Sequence, residues 1–528
     1  MPTSPLDRRG FLRRTWQVGA VVVGAVATGL AIDETRSTHR LTPSTTTLQD
    51  SPANESQWRA LEAALAGHLV RPSSPTYGVD RLLYNAKFTN LHPRAIAYCA
   101  SADDVARCLE FATTHDLAVC ARSAGHSYGG YSNSDGLVID VSPLSAIAVD
   151  PVANRATVGA GARLIDVYNV VGGHHRLLPG GSCPTVGVAG LALGGGVGVF
   201  GRKYGLTSDN LQSVNIVTAD STHVTASTHD HSDLLWASQG GGGGNFGVAT
   251  SFEFIVHPMP RVTLFHVQFP WAASSALLSG WLRWIAAMPD ELWSDCQLLS
   301  QGTAGLLAQV SGVYCGDPRA VTTLLAQLTS EIGVAPSHTF QGSDAYIAAM
   351  MIEAGCSGLS VASCHLPTLR RAGTRSREAY SAKSSYVDRP MSEADASAMV
   401  HAVEYLASLA PLVGGGLAFD AYGGAINRVA SGDTAFVHRD KLAGIQATYS
   451  WSRFSSSHEI AAGQRWLTWL DRNVFTPSAG AYQNYIDPTL AKWATAYYGD
   501  NLARLVRVKN RYDSQNLFTF AQSIPLRV

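Results

Sequence analysis

Two stretches limit what this chain can become: "PGGSCPTVGVAGLALGGGVGVFGRKYG" from Pro179 and "QGGGGGNFG" from Gln239. A flexible glycine linker keeps polar company, whereas Val186, Val188, Leu191, Leu193, Phe200, Phe246 and Val248 stand between these glycines. Apolar residues so placed need a core, so the glycines lie inside a packed structure, where a missing side chain lets backbone approach something closely. Bared N–H groups suit a phosphate or pyrophosphate.

Two short motifs compete to define the chemistry. Gly196-Val197-Gly198-Val199-Phe200-Gly201 matches G-x-G-x-x-G, and Asp220 ends the strand-like "VNIVTAD" at the distance of a ribose-binding acid. Only "RKYGLTSDNLQS" lies between, and its glycine, hydroxyl and Asx residues make a poor crossover helix. Gly125-His126-Ser127-Tyr128-Gly129 matches the G-x-S-x-G elbow of serine hydrolases, with Ser127 as nucleophile. The elbow needs a helix after the serine, yet "YSNSDG" and the strand-like "LVIDVS" follow. The competing reactive atom is a ring nitrogen of His126. Asp and His partners for Ser127 are plentiful, so the hydrolase stays as the alternative from a different class.

The 528 residues carry a formal net charge of -1 and no long basic run, which gives no footprint for nucleic acid or an anionic membrane. Near the start, Asp7-Arg8-Arg9-Gly10-Phe11-Leu12-Arg13 precedes an apolar run from Thr15 to Ile32, and Ala25-Val26-Ala27 offers a small-x-small cleavage site. This reads as a twin-arginine (Tat) export signal over residues 1–32, so the Tat machinery is an expected partner, with no stable membrane association after cleavage. The run is at the short limit for a single membrane anchor, the competing reading. Residues 33–53 are rich in Ser, Thr and Pro and read as a flexible tether. Eight cysteines are too few for a disulfide scaffold, although one or two pairs are compatible with export, and no C-x-x-C pair points to zinc.

Asn54 is placed to cap a helix carrying Trp58, Leu61 and Leu65. Then "AIAYCA" reads as a strand, "SADDVARCLEFATTHD" as a helix capped by Ser101, and "LAVCARS" as a strand. From Pro258 strands alternate with amphipathic helices: "VTLFHVQF" puts Phe265, Val267 and Phe269 on one face, and "AASSALLSGWLRWIAA" is helical. This predicts an antiparallel sheet covered on one side by helices, to about residue 478. Trp271, Trp281, Trp284 and Trp293 serve core packing or stack on a ligand.

"RSAGHSYGG", the long glycine stretch, "LLWASQGGGGGNFGVATSFEF" and the tail "AYQNYIDPTLAKWATAYYGDNLARLVRVKNRYDSQNLF" together resemble the berberine bridge enzyme-like FAD-linked oxidases, of the vanillyl-alcohol oxidase/PCMH-type flavoprotein superfamily, from about residue 80 onward. The resemblance implies an α+β fold: a PCMH-type FAD-binding domain of two subdomains over 54–257, an inserted substrate domain over 258–478, and a C-terminal segment, 479–528, returning to the FAD domain. It implies that His126 is bonded to the 8α-methyl carbon of FAD. Gly181-Ser182-Cys183-Pro184-Thr185-Val186-Gly187 fits the G-x-C-x-x-V-G pattern whose cysteine is bonded to ring carbon 6 in the bicovalent subgroup. Flavin contacts fall to Arg122, Ser123, Gly125, Ser127, Tyr128, Gly129, Val186, Gly187, Gly190, Gly194, Gly198, Val248, Tyr482 and Asn484. Tyr485, in the Y-x-N-Y element Tyr482 to Tyr485, matches the base of the sugar oxidases, with Asp420 or Tyr422 as helper.

The chemistry suits these residue types. The oxidised ring is electron-poor, so neutral imidazole and thiolate are fitting nucleophiles, and backbone N–H groups around Cys183 are expected to favour its thiolate. A phenol with a pKa of about 10 acts as a base only if positive charge or hydrogen bonds favour phenolate. Val186 matches a position at which valine accompanies oxygen reactivity, so oxygen is the expected acceptor and hydrogen peroxide the co-product. The substrate is expected to be a sugar, oligosaccharide or other small alcohol, with secondary-metabolite tailoring as the alternative.

Overall fold

A computed structural model describes residues 53–368, 371–410, 413–475 and 479–527. The export signal and all of the tether except Ala53 lie outside the described residues.

The first helix runs Glu55–Ala64, and Asn54 forms a reciprocal capping box with Gln57. Strand Ala95–Tyr98, helix Ala102–Thr114 and strand Val119–Arg122 follow where expected; the Ser101 hydroxyl accepts from the Asp104 N–H and closes the helix start. These strands join a four-stranded sheet in the order His68–Val70, Ala95–Tyr98, Leu137–Asp140, Val119–Arg122; the first pair is antiparallel and the others parallel. A second sheet of five strands is antiparallel throughout: Ile147–Asp150, Arg155–Gly159, Val248–Ile255, Leu211–Val217, His223–Ser227. Leu211–Val217 therefore has no parallel neighbour, and the G-x-G-x-x-G match is not a Rossmann turn. Asp220 spends its carboxylate on Thr218 and Thr222 in the turn that follows.

The third sheet has seven antiparallel strands, in the order His338–Asp344, Val262–Phe269, Leu306–Tyr314, Leu292–Gln301, Gly414–Ala421, Ala443–Trp451, Ala379–Val387. Side chains alternate across a strand, so each strand feeds two environments. Phe265, Val267, Cys296, Leu298, Leu417, Phe419 and Ile445 bury one face beneath helices Ser274–Ala287, Pro318–Ile332, Glu393–Leu409 and Ser457–Asn473. His266, Trp293, Asp295, Gln297, Ser311, Ala418, Asp420 and Gln446 occupy the other face and line a cavity. Helices cover one face as expected, but the opposite face is also buried, which the alternation alone did not reveal. Trp281 and Trp284 are core residues, Trp293 lines the cavity, and Trp271 donates to Glu404 near the surface.

The C-terminal tail is tied to the second glycine stretch and the helix before it. Helix Leu502–Tyr512 packs on helix Ser232–Ser238, and Lys509, fully buried, bonds Asp513 and the carbonyls of Asn245 and Phe518. Helix Tyr346–Glu353 packs on helix Leu164–Gly173, so the third sheet's connections reach into the core of the first two. Cys356 and Cys364 form a disulfide.

Candidate active site

A cavity of about 630 Å³ opens where the three sheets meet. One wall is the segment that leaves strand Val119–Arg122. Arg122 is buried and ion-paired with Asp140, and the Ser123 hydroxyl donates to the Ala160 carbonyl at 2.6 Å. Gly125, at φ 71°, turns the chain so that His126 faces the cavity. The imidazole stacks on Tyr84, centroids 4.0 Å apart, and its Nε2 lies 2.9 Å from Thr185 Oγ1. Burial, reinforced by the Arg163 charge, lowers its pKa to about 3, so the ring is neutral. The Ser127 hydroxyl accepts from the Tyr131 N–H in a turn with no helix behind it, and has no elbow geometry.

The facing wall is the glycine segment. Cys183 Sγ lies 3.8 Å from the same Thr185 hydroxyl, so imidazole and thiol converge on one residue. Burial pushes the thiol up while hydrogen bonds from Thr185 oppose it, so the expected bias to thiolate is not what the surroundings produce. Val186, Gly187, Gly190, Gly198 and Val248 line the cavity too. A Cβ on Gly187 would stand 2.2 Å from Ser123 Oγ, so the two walls press together there, and one on Gly198 would stand 2.2 Å from the Gly180 carbonyl oxygen, so the glycine segment packs closely on itself. Gly129 and Gly194 lie outside the lining: Gly129 is pressed on Tyr131, and Gly194 on Asn484.

The Y-x-N-Y element closes the third side. The Tyr482 phenol accepts from the Gly196 and Val197 N–H groups and from Asn484 Nδ2, which also donates to the Leu191 carbonyl. Gln483 donates to the carbonyls of Gly194 and Gly240, joining both glycine stretches. Tyr485 is left to face the cavity, stacked at 5.2 Å on Tyr128, whose hydroxyl accepts from Gln446 at 2.8 Å. Burial, then the Asp420 charge, pushes the Tyr485 phenol well above its ordinary range. The expected cationic help for a phenolate is replaced by a carboxyl. Asp420 lines the cavity with its own pKa raised by burial and Asp295 to about 7. Tyr422 does not reach the cavity; it packs edge-on to Tyr386 behind Tyr485.

Sequence reasoning missed Tyr84, Thr185, Asp295, Glu353 and Gln446. Asp295 and Gln446 were findable as polar positions alternating with core positions in their strands, whereas Tyr84 and Glu353 had no local signal.

The cavity fits a flavin dinucleotide. It has the volume of a cofactor site, a glycine-lined approach, and two buried polar atoms without partners, Arg122 Nη1 and Ser132 Oγ, to receive one. A family model described as "FAD binding domain" matches residues 93–227, and one described as "Berberine and berberine like" matches 481–525. The uncharacterized FAD-linked oxidoreductase YgaK of Bacillus subtilis is 31% identical over 87% of this chain and 97% of its own. The chain belongs to the berberine bridge enzyme-like FAD-linked oxidoreductases.

It is an FAD-binding enzyme with the α+β, two-domain architecture of that superfamily. Physcomitrella patens BBE-like 1 superposes with a TM-score of 0.80 at 29% identity, over 89% of this chain and 99% of that one. The xylooligosaccharide oxidase of Thermothelomyces thermophilus is 29% identical over 84% of this chain and 88% of its own. Among the described residues of this oxidoreductase, no helix is long and apolar enough to cross a membrane.

Proposed function

We propose that this enzyme oxidises a hydroxyl group of a carbohydrate or related small alcohol, using FAD bonded covalently to His126 and Cys183. The observation that carries the reading is the convergence of that imidazole and that thiol on Thr185, in a cavity that Tyr485 and Asp420 also line. His126 and Cys183 would hold the FAD: the neutral His126 ring has a lone pair suited to such a bond, and Cys183 would serve as its thiolate. When bound, FAD supplies the hydride acceptor.

The chain's own residues manage the proton. Tyr485 takes the substrate's hydroxyl proton on its phenol oxygen while its own proton passes through a water in the cavity that both residues line to ionised Asp420; the carbinol C–H electron pair leaves as hydride and a carbonyl remains. A carboxyl near pKa 7 is matched to that task at neutral pH, and the raised phenol explains why Tyr485 needs it. Gln446 holds Tyr128 against Tyr485 and fixes the phenol's position. Oxygen is the acceptor in this reading, with Val186 in the cavity wall, and hydrogen peroxide is released. The name of the xylooligosaccharide oxidase supports a carbohydrate substrate, and the Tat-like signal supports export.

Acid denaturation of the purified protein tests the linkage. The yellow colour pellets with the polypeptide, survives either His126→Ala or Cys183→Ala alone, and is lost when both are changed. Colour left in solution from the wild type overturns it. Xylobiose with a peroxide-coupled assay tests the substrate class.

A further inference from the structure

We infer that Asp295 is a positioning residue for proton transfer: lying opposite Asp420 in the sheet, it holds the anionic charge of the pair and keeps the exchangeable proton on Asp420. The inference rests on the roles of Asp420 and Tyr485 proposed above, and assigns a residue those roles do not mention.

Asp295, on strand Leu292–Gln301, is the direct antiparallel partner of Asp420 on Gly414–Ala421. Their neighbours Cys296 and Phe419 are in the helix-covered core, so both carboxyls turn to the cavity face. Like charges directly opposite are unfavourable in a sheet, and burial makes two adjacent anions costlier still. One carboxyl of the pair therefore holds its proton to a higher pH than an isolated carboxyl would.

Hydrogen bonding decides which. Asp295 accepts from the Ser311 hydroxyl and from Gln297 Nε2. Gln309 Nε2 donates to the Gln297 oxygen at 2.8 Å, an arrangement that leaves the Gln297 Nε2 turned to Asp295. In this arrangement both neighbours donate, which favours the anionic form of Asp295. Asp420 receives no hydrogen bond from a donor among the described residues. On its other side the register partner is Gly444, which has no side chain. The titratable groups around the pair are Tyr128, Tyr482 and Tyr485 facing Asp420, Glu353, which feels the charge of Asp295, and His266, beyond Ser311 on the same face, whose pKa burial lowers to about 4 and so keeps neutral. None is a cation. The directions agree: Asp420 is raised to about 7 and Asp295 to about 6.

The fixed anion makes Asp420 a better acceptor for the proton Tyr485 gives up, and sets the pH below which Asp420 is already protonated and the relay stops. Infrared pH titration of the holoenzyme reads this directly, through the carboxylic-acid carbonyl band that disappears in Asp420→Asn. In Asp295→Asn we expect that band to vanish about one pH unit lower, with the acid limb of anaerobic flavin reduction by xylobiose moving alongside it. An unmoved band, or one that persists in Asp420→Asn and is lost in Asp295→Asn, overturns the inference. If the band moves but Asp420→Asn keeps the acid limb unchanged, the proposed role of Asp420 fails, and with it the link to proton transfer, while the pair assignment stands. Should Asp295→Asn not load flavin, Gln297→Met removes one donor to Asp295 and is expected to shift the band in the same direction; no shift there also overturns it.

Discussion

The Nε2 atom of His126 lies 2.9 Å from the hydroxyl of Thr185, which also reaches Cys183 at 3.8 Å. One hydroxyl thus orients both proposed anchor atoms, and it opposes the burial that holds the thiol protonated. Thr185→Val keeps the shape and removes that contact. With about 1 kcal/mol for a hydrogen bond, covalent attachment slows by about fivefold. Time-resolved mass spectrometry of apoprotein reconstituted with FAD measures it; an unchanged rate counts against the orienting role.

Tyr485 faces the cavity against Tyr128, with Asp420 the charged neighbour that acts on it. Tyr485→Phe preserves the stacking and leaves the flavin attached, while flavin reduction by substrate slows by about 10²-fold or more. Stopped-flow absorbance without oxygen is the measurement.

Glu353 has a buried Oε1 without a partner, and burial raises its pKa from 4.5 to about 8. The folded carboxyl thus keeps a proton that the unfolded chain releases above pH 4.5. The unfolded state binds fewer protons in this window, so this residue's contribution to stability falls as pH rises through it and levels off above about 8. Glu353→Gln removes that slope. Urea unfolding of the apoprotein is expected to show the variant gaining on wild type by about 1 kcal/mol or more at pH 8, with little difference at pH 4.5.

Gly198 brings its backbone against Gly180, whose bridge to Val199 closes the loop that carries Cys183. An added methyl would sit 2.2 Å from the Gly180 carbonyl oxygen. Gly198→Ala is expected to destabilise the fold by about 1–3 kcal/mol and to lower the fraction of flavin joined through Cys183, seen by peptide mapping.

Much of the local structure was legible. Asn54 and Ser101 announce their helices because a capping side chain works within three residues of its target. The period-two pattern from Pro258 revealed an antiparallel sheet with helices on one face. It did not reveal that the other face is buried, because a polar residue facing water and one facing a ligand cavity look alike in a sequence. Tyr422 illustrates the same limit: it lies two residues from Asp420, yet it points behind Tyr485.

By itself, the sequence determined the elements, the apolar company of the glycines, and the spacing of His126 and Cys183 within recognisable blocks, all set by short-range sterics and hydrogen bonding. Tertiary structure alone decided that Thr185 stands between those two residues, that Gln483 joins the two glycine stretches, and that Asp295 faces Asp420. Register and packing between segments far apart in the chain determine which side chains share a low-dielectric space, and that sharing sets the charge each one carries.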